Sequence, residues 1–291
     1  MIALLDASPY RVRRKKHPMH YTSFGALRSI VETGRFRLYN ADGMDDRSEG
    51  LFIFEIMGIT DPNHPIIKLV KENVPGGSEV FIGSLVTKSN NKVGDDLMWR
   101  TYGKGSKGAA LVFDQFSDAS FADILGKAMQ SEQFRNSTSD PAITPVAAEE
   151  LILCRVYYGR KKQTTALLAE LGEQVKQLQV EKMGAKARSL VRMLLDSVRF
   201  LFKKDIFSRE QEARLVVRRP TRQPGDDSGP AVVKNEFPRT YIECPHIFQP
   251  RRIILGSAVK KQGASKKWIK DQQWIREGRQ DIDIMRNEED S

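Results

Sequence analysis

Cysteine is nearly missing from this 291-residue chain, which has only Cys154 and Cys244, both in apolar, strand-like text. With no C-x-x-C spacing they cannot make a zinc site by themselves, and they read as reduced core thiols rather than a disulfide. Histidine is scarce as well. His64 and His246 stand near prolines, with no H-x-x-x-H or H-E-x-x-H spacing, so no metal is expected. No apolar run approaches the roughly 20 residues that cross a bilayer. The short apolar opening before Asp6 is too brief for a signal-peptide core. A cytoplasmic protein with no membrane partner is expected. Internal repeats and a regular strand–helix alternation are also missing, which argues against a doubly wound fold.

Positive charge is plentiful. The net charge is +10 and the pI about 9.5, with basic clusters at Arg11–Lys16, Lys203–Lys204, Arg218–Arg222, Arg251–Arg252 and Lys260–Lys270. Such a surface attracts polyanions by releasing their counterions, so nucleic acid is the natural partner. The clusters are scattered along the chain, and the plainer alternative is a solvated basic surface. At 40% hydrophobic and 29% charged the composition is that of an ordinary globular protein, read as a single domain over residues 1–291.

Residues 1 to 16 read as a basic arm or a short strand. Phe24, Leu27, Ile30 and Val31 recur at helical spacing, with Thr22 or Ser23 as cap and Gly34 as stop. RFRLYN alternates like a strand, and Leu51 to Met57 is apolar and helical. Strands are predicted at 79–87, 108–114, 150–159 and 212–218, and in RTYIECP and RRIILG. A helical stretch near 117–133 and a loop at 135–146 fall among them. Residues 163–204 carry two apolar helical faces, Leu167-Leu171-Val175-Leu178 and Leu190-Val191-Leu194-Leu195-Val198-Phe202, with Gly184 between them. They predict a helical hairpin inserted among strands. Ser265 is expected to cap a last helix carrying Trp268 and Trp274, with DIDIM as an edge strand. The predicted class is α+β with a mainly antiparallel sheet.

Four small constellations could carry chemistry. In KHPMHYTSF, His20 and Thr22 flank Tyr21 and project to one side of a strand, where they could grip adjacent ribose hydroxyls; a strand-end histidine beside a helix cap is the structural alternative. In MDDRSEG, Asp45, Asp46 and Glu49 could bind a metal or orient Arg47, or simply solvate a turn. Trp99 and Tyr102 lie on one face of a short helix before GKGSKG. There they could stack a base or nicotinamide while lysines and backbone amides meet phosphates, or be two core aromatics before a turn. The loop does not fit G-x-x-x-x-G-K-[ST], and a strand rather than a helix follows it, so a nucleotide-hydrolysing P-loop is not expected. Finally, Glu210 and Glu212 enter a strand that also carries Arg214. Paired carboxylates stabilise developing positive charge on a sugar carbon, while a Glu212–Arg214 ion pair is the structural alternative.

HYTSFGALRSIVETGRFRLYNADGMDDRSEG, MWRTYGKGSKGAALVFD, EQEARLV and RRIILG, in that order, resemble the prokaryotic domain of unknown function 2971 family over roughly residues 18 to 256. Many members read Asn-Asp-Pro where this chain has Asp45-Asp46-Arg47, and 163–204 sits where the family varies most. The family label supplies no activity. His-x-Thr leading into LRSIVETG is similar to the opening of ADP-ribosyltransferases, particularly toxins that modify DNA and RNA. That resemblance implies an ADP-ribosyltransferase-like fold and NAD as co-substrate. It makes His20 and Thr22 (with Tyr21 between) the ribose-binding residues, Tyr102 or Trp99 the nicotinamide stacker, Glu212 the catalytic carboxylate and Glu210 its companion. No arginine matches the toxins' early catalytic one; Arg47 is only near it in order. A toxin or antiviral-defence effector acting on nucleic acid is implied, with an antitoxin or defence-system protein as partner. Such a site requires His20, Tyr102 and Glu212 to line one cleft, and Glu212 on the opposite side of the sheet from His20 would rule that arrangement out. The rivals are a non-catalytic nucleic-acid-binding or regulatory module and a Mg²⁺-dependent nuclease using Asp45, Asp46 and Glu49.

Overall fold

The computed structural model describes residues 17–33, 35–44, 48, 50–72, 78–87, 96–113, 152–159, 162–220, 241–245, 250–260, 262–271 and 283–286. The arm before residue 17, Asp45, Asp46, Arg47, Glu49, the stretches 117–133 and 135–146, and Trp274 lie outside them.

The chain opens with β1 (Met19–Thr22) and α1 (Phe24–Thr33), followed by β2 (Arg35–Asn40). Ser23, not Thr22, caps α1: its Oγ accepts the Ala26 N–H at 3.1 Å. Leu27 and Val31, one helical turn apart, are fully buried. Two short helices come next, α2 (Phe52–Ile56) and α3 (Pro65–Lys71). The second was not expected. His64 accepts the Ile66 N–H through Nδ1 and Pro65 sits where a missing N–H costs nothing, so proline-bearing text that resembles a loop is a helix start.

β3 (Ser78–Val86) is the centre of the sheet. It precedes α4 (Asp96–Thr101), β4 (Ala109–Phe113), β5 (Ile152–Arg155) and β6 (Tyr157–Tyr158). Helices α5 (Lys162–Lys176) and α6 (Ala185–Val198) follow, then β7 (Phe202–Lys203), β8 (Glu212–Pro220), β9 (Tyr241–Pro245), β10 (Pro250–Leu255), α7 (Gln262–Lys270) and β11 (Asp283–Arg286). Phe202, read as part of a helical face, instead lies in β7, and the last helix starts three residues before the expected Ser265 cap.

The fold is α+β with a mostly antiparallel open sheet, in the order β11-β10-β4-β1-β3-β2-β9, with β8 on β3 and β5 on β8. Only β10–β11 and the small β6–β7 pair run parallel among the described ladders. One edge of β3 pairs with β8 along its whole length, from Ser78↔Pro220 to Val86↔Glu212. The other edge is shared. β2 meets it at Phe81 and Ile82, and β1 meets it at Val86. Between them, at Gly83, Ser84 and Leu85, the two strands fork apart.

Side-chain alternation divides the core into faces. Leu27 and Val31 of α1 and Ile269 of α7 cover one face, over Leu85, Leu111 and Leu215. Helices α2, α3, α5 and α6 cover Val80, Ile82 and Val216 on the other. Gly172 lets α5 sit directly on α2, since a Cβ there would lie 2.3 Å from the Met57 carbonyl oxygen. Met19, Tyr21, Met98 and Trp99 form a third cluster with Val86 and Val112. Among the described residues, no helix is long and apolar enough to cross a membrane.

Candidate functional site

The approach to β8 sets the position of both carboxylates. A 3₁₀ turn, Asp205–Glu210, ends in Gln211, which is left-handed at φ 43°, ψ 45°. That conformation costs a non-glycine residue roughly 1–2 kcal/mol. Thr87 secures it by donating both its N–H (3.0 Å) and its hydroxyl (2.9 Å) to the Gln211 carbonyl. Glu210 and Glu212 converge, but through this turn rather than by strand alternation. Lys203 Nζ reaches Glu210 Oε2 at 2.9 Å and Glu212 Oε2 at 2.7 Å.

Glu212 is almost wholly buried and accepts from every side. Arg214 grips it with two nitrogens, Nε to Oε1 at 2.8 Å and Nη2 to Oε2 at 3.0 Å. Ser84 Oγ donates to Oε1 at 2.5 Å. The Glu212 N–H donates to the Tyr158 hydroxyl at 2.8 Å, and Arg214 Nη1 donates to the Phe200 carbonyl. Burial alone would raise the Glu212 pKa, but the Arg214 guanidinium and the Lys203 ammonium outweigh it and hold the pKa at about 2. The carboxylate is therefore charged at neutral pH. Burial and the neighbouring Glu212 charge together raise the Tyr158 pKa, so its hydroxyl stays protonated.

His20 sits at the fork. Its ring packs edge-on against Phe36 of β2, with centroids 4.8 Å apart, and its Nδ1 lies 3.0 Å from the Ser84 carbonyl. A carbonyl can only accept, so Nδ1 carries the proton. Burial lowers the His20 pKa, and the bond to Ser84 opposes this without cancelling it. The neutral ring leaves Nε2 as an acceptor. A depressed histidine pKa stabilises the fold above the unfolded value of 6.5, and that stability is lost as pH falls below it. Parent protein should therefore lose melting temperature below about pH 6.5 more steeply than His20→Asn, whose amide can still donate to Ser84. Parallel curves would show that His20 charges freely in the fold.

Strand register points His20, opposite Leu111, to the face covered by α1, whereas Glu212, in the row Met19↔Val86↔Glu212, points to the other. Ser84 touches both: its carbonyl takes His20 and its hydroxyl binds Glu212, and it is an exposed residue within a buried strand. Tyr102, 43% exposed, joins the same network by donating its hydroxyl to Glu210 at 3.0 Å. Among the described residues, His20, Ser84, Glu212, Lys203, Glu210 and Tyr102 thus form one connected chain, but the His20 and Glu212 side chains leave the sheet on opposite faces and meet only through Ser84, so the expected single cleft lined by both is not formed.

Three expected ligand contacts are core residues instead. Trp99 is 1% exposed and meets the buried Tyr21 edge to face at 5.1 Å, so neither ring offers a stacking surface. Thr22 is buried opposite Ala109. Arg47 lies outside the described residues. Among those residues, no group of three or more His, Cys, Asp or Glu could hold a metal. Cys154 is buried, and burial pushes its thiol up to about 12, which leaves it inert. Ser84 and Tyr158 escaped the sequence reading, and Lys203 reads there only as part of a basic cluster, not as the partner of Glu210 and Glu212. The Gly83-Ser84 break in an apolar strand was the one available signal.

Residues 98–215 match the model of a protein family of unknown function, DUF2971. Over that span the resemblance to domain of unknown function 2971 is shown. The match takes in Tyr102, Lys203, Glu210, Glu212 and Arg214 and leaves His20 and Ser84 outside. No curated protein and no solved structure matches the chain.

Proposed function

We propose that this chain transfers ADP-ribose from NAD to a nucleic-acid acceptor, with the donor ribose held at the fork beside Ser84. Ser84 carries the proposal: it is exposed, and it joins a neutral histidine on one side to an ionised glutamate on the other. The bond from nicotinamide nitrogen to the ribose carbon breaks and its electron pair leaves with nicotinamide. The carbon becomes oxocarbenium-like, and an acceptor nucleophile bonds to it and gives up its proton to solvent water. A carboxylate held ionised suits electrostatic stabilisation of that cation better than proton transfer. Arg214 is fully buried, so the Ser84 hydroxyl is the contact that yields when a ribose hydroxyl approaches Glu212. His20, from the opposite face, holds the Ser84 carbonyl and so positions the hydroxyl that Glu212 accepts, and the exposed Tyr102 ring covers the nicotinamide.

The same proposal takes the fold as ADP-ribosyltransferase-like, with 163–204 as an inserted helical hairpin. The protein would be a cytoplasmic toxin or defence effector with an antitoxin or defence partner. A specific observation favours the rival, a non-catalytic nucleic-acid-binding module: Arg214, Lys203 and Ser84 already engage both Glu212 oxygens, as a purely structural ion pair requires.

The test is incubation with NAD and RNA, DNA or lysate protein, read by nicotinamide release and by intact mass. Nicotinamide release with a gain of one ADP-ribose on nucleic acid is expected. Folded protein that releases no nicotinamide with any acceptor rejects the activity. In an active preparation, Ser84→Ala should keep turnover within about threefold, because the hydroxyl gives way in the reaction, while losing about 1.5–3 kcal/mol of stability with its charged hydrogen bond.

A further inference from the structure

Directly after Tyr102 the backbone does something unusual. Lys104, Gly105 and Ser106 are all left-handed, at φ 52°, 62° and 62°, a region that only glycine visits freely. Hydrogen bonds fix the turn. The Gly105 N–H donates to the Trp99 carbonyl at 3.0 Å, and the Gly108 N–H to the Gly103 carbonyl at 2.9 Å. The Ala258 N–H donates to the Ser106 carbonyl at 3.0 Å, and the Gly256 N–H to the Gly108 carbonyl at 2.9 Å. The approach is close enough that a Cβ at Gly256 would lie 2.1 Å from Ser106 O, and one at Gly108 2.0 Å from Thr22 O. Backbone is locked on backbone here, and the strain is held at two non-glycine residues. Retained strain of this kind concentrates at binding sites.

What the lock displays is positive charge. Lys104 and Lys107 on the turn are exposed, as are Lys260 beside it and Lys267 and Lys270 on α7. None of these five has a carboxylate partner among the described residues. Over 256–271 the one described carboxylate is Asp271. Basic segments far apart in sequence thus meet at the Ser106–Ala258 contact, next to the residue whose hydroxyl reaches Glu210.

We infer that the locked 103–108 turn and the 256–270 segment form the phosphate-binding track that brings a nucleic-acid strand to the Tyr102–Glu210 end of the site. The inference rests on the proposed transfer reaction for its acceptor, but the binding itself needs no NAD. Lysine ammonium groups neutralise phosphates one by one, releasing counterions, and so read charge rather than sequence. An anionic membrane would meet the same charges, and the test separates it from nucleic acid.

Fluorescence anisotropy with labelled single-stranded RNA and DNA of roughly 12 nucleotides, without NAD, is the measurement. It compares parent, Lys104→Glu/Lys107→Glu and Lys267→Glu/Lys270→Glu between about 50 and 200 mM salt. Each double variant should weaken binding about tenfold or more and flatten the salt slope by about 0.7 for each phosphate that is no longer neutralised, with an unchanged melting temperature. Acceptor-free NAD cleavage by Lys267→Glu/Lys270→Glu should match the parent, so a failed binding result and a failed reaction are told apart. Charge-reversed variants that bind like the parent overturn the inference. So does a parent that binds neither oligonucleotide at low salt, or that prefers phosphatidylserine vesicles to both.

Discussion

Glu212→Gln is expected to lower the unfolding free energy by about 3–5 kcal/mol, the cost of leaving one partner of a buried ion pair unmatched. It should also cut NAD turnover about a hundredfold or more per folded molecule. Glutamine keeps the shape, but fully buried Arg214 then faces a neutral amide. The two losses separate in Glu212→Gln/Arg214→Met. With both charges gone, much of the stability should return, while turnover should not. The pH dependence has a definite sign. A carboxylate held at about 2 stabilises the fold above its unfolded value of 4.5, and that stability is lost as pH falls from there toward 2. The stability gap between parent and Glu212→Gln should be full at neutral pH and close across that window. A well-folded double variant that cleaves NAD at the parent rate would remove Glu212 from the chemistry.

Asp196→Asn should cost a similar amount of stability and no chemistry. Asp196 of α6 is 1% exposed and lies between two buried arginines, accepting from Arg192 Nε at 3.2 Å and from Arg199 Nε at 2.6 Å. Arg199 continues to Asp42 at 2.6 Å, fastening α6 to the turn after β2. Neutralising Asp196 leaves two guanidinium groups buried without their shared counterion, again about 3–5 kcal/mol. These bonds run along α6 and across to Asp42 rather than to the Ser84 network, so NAD cleavage per folded molecule should stay at the parent value. A loss of kcat beyond the loss of folded protein would show that the helical layer is coupled to the site.

The comparison of these two buried acids shows how far sequence could reach. Leu27 and Val31 at helical spacing, the alternation in RFRLYN and the apolar run of β8 are local signals, and each gave its element. Glu210, Glu212 and His20 were legible because unusual residue types stood at strand ends. The forces that decide their roles are not local. Trp99 is core rather than stacker because Tyr21, far back in the chain, meets its ring. Ser84 matters because two strands part on either side of it, which no stretch of text around GSL reveals. Lys203 joins the carboxylates across the left-handed Gln211, a backbone state that glutamine rarely adopts and so does not advertise.

The fork at β3 also bears on the order in which the protein can be built. β1 and β2, which form its two sides, are made early, yet the strands that brace them arrive late: β2 pairs with β9 at Tyr241–Pro245, and β1 is backed by β4, which pairs with β10 at Pro250–Leu255. A chain emerging from the ribosome therefore carries open strand edges until β9 and β10 have been synthesised. Pairing across such separations is slow, and the two strands that flank the His20–Ser84–Glu212 junction stay without their outer partners until then. A translation product stopped before Tyr241 would expose the outer edges of both β2 and β4, and would aggregate or be degraded rather than act.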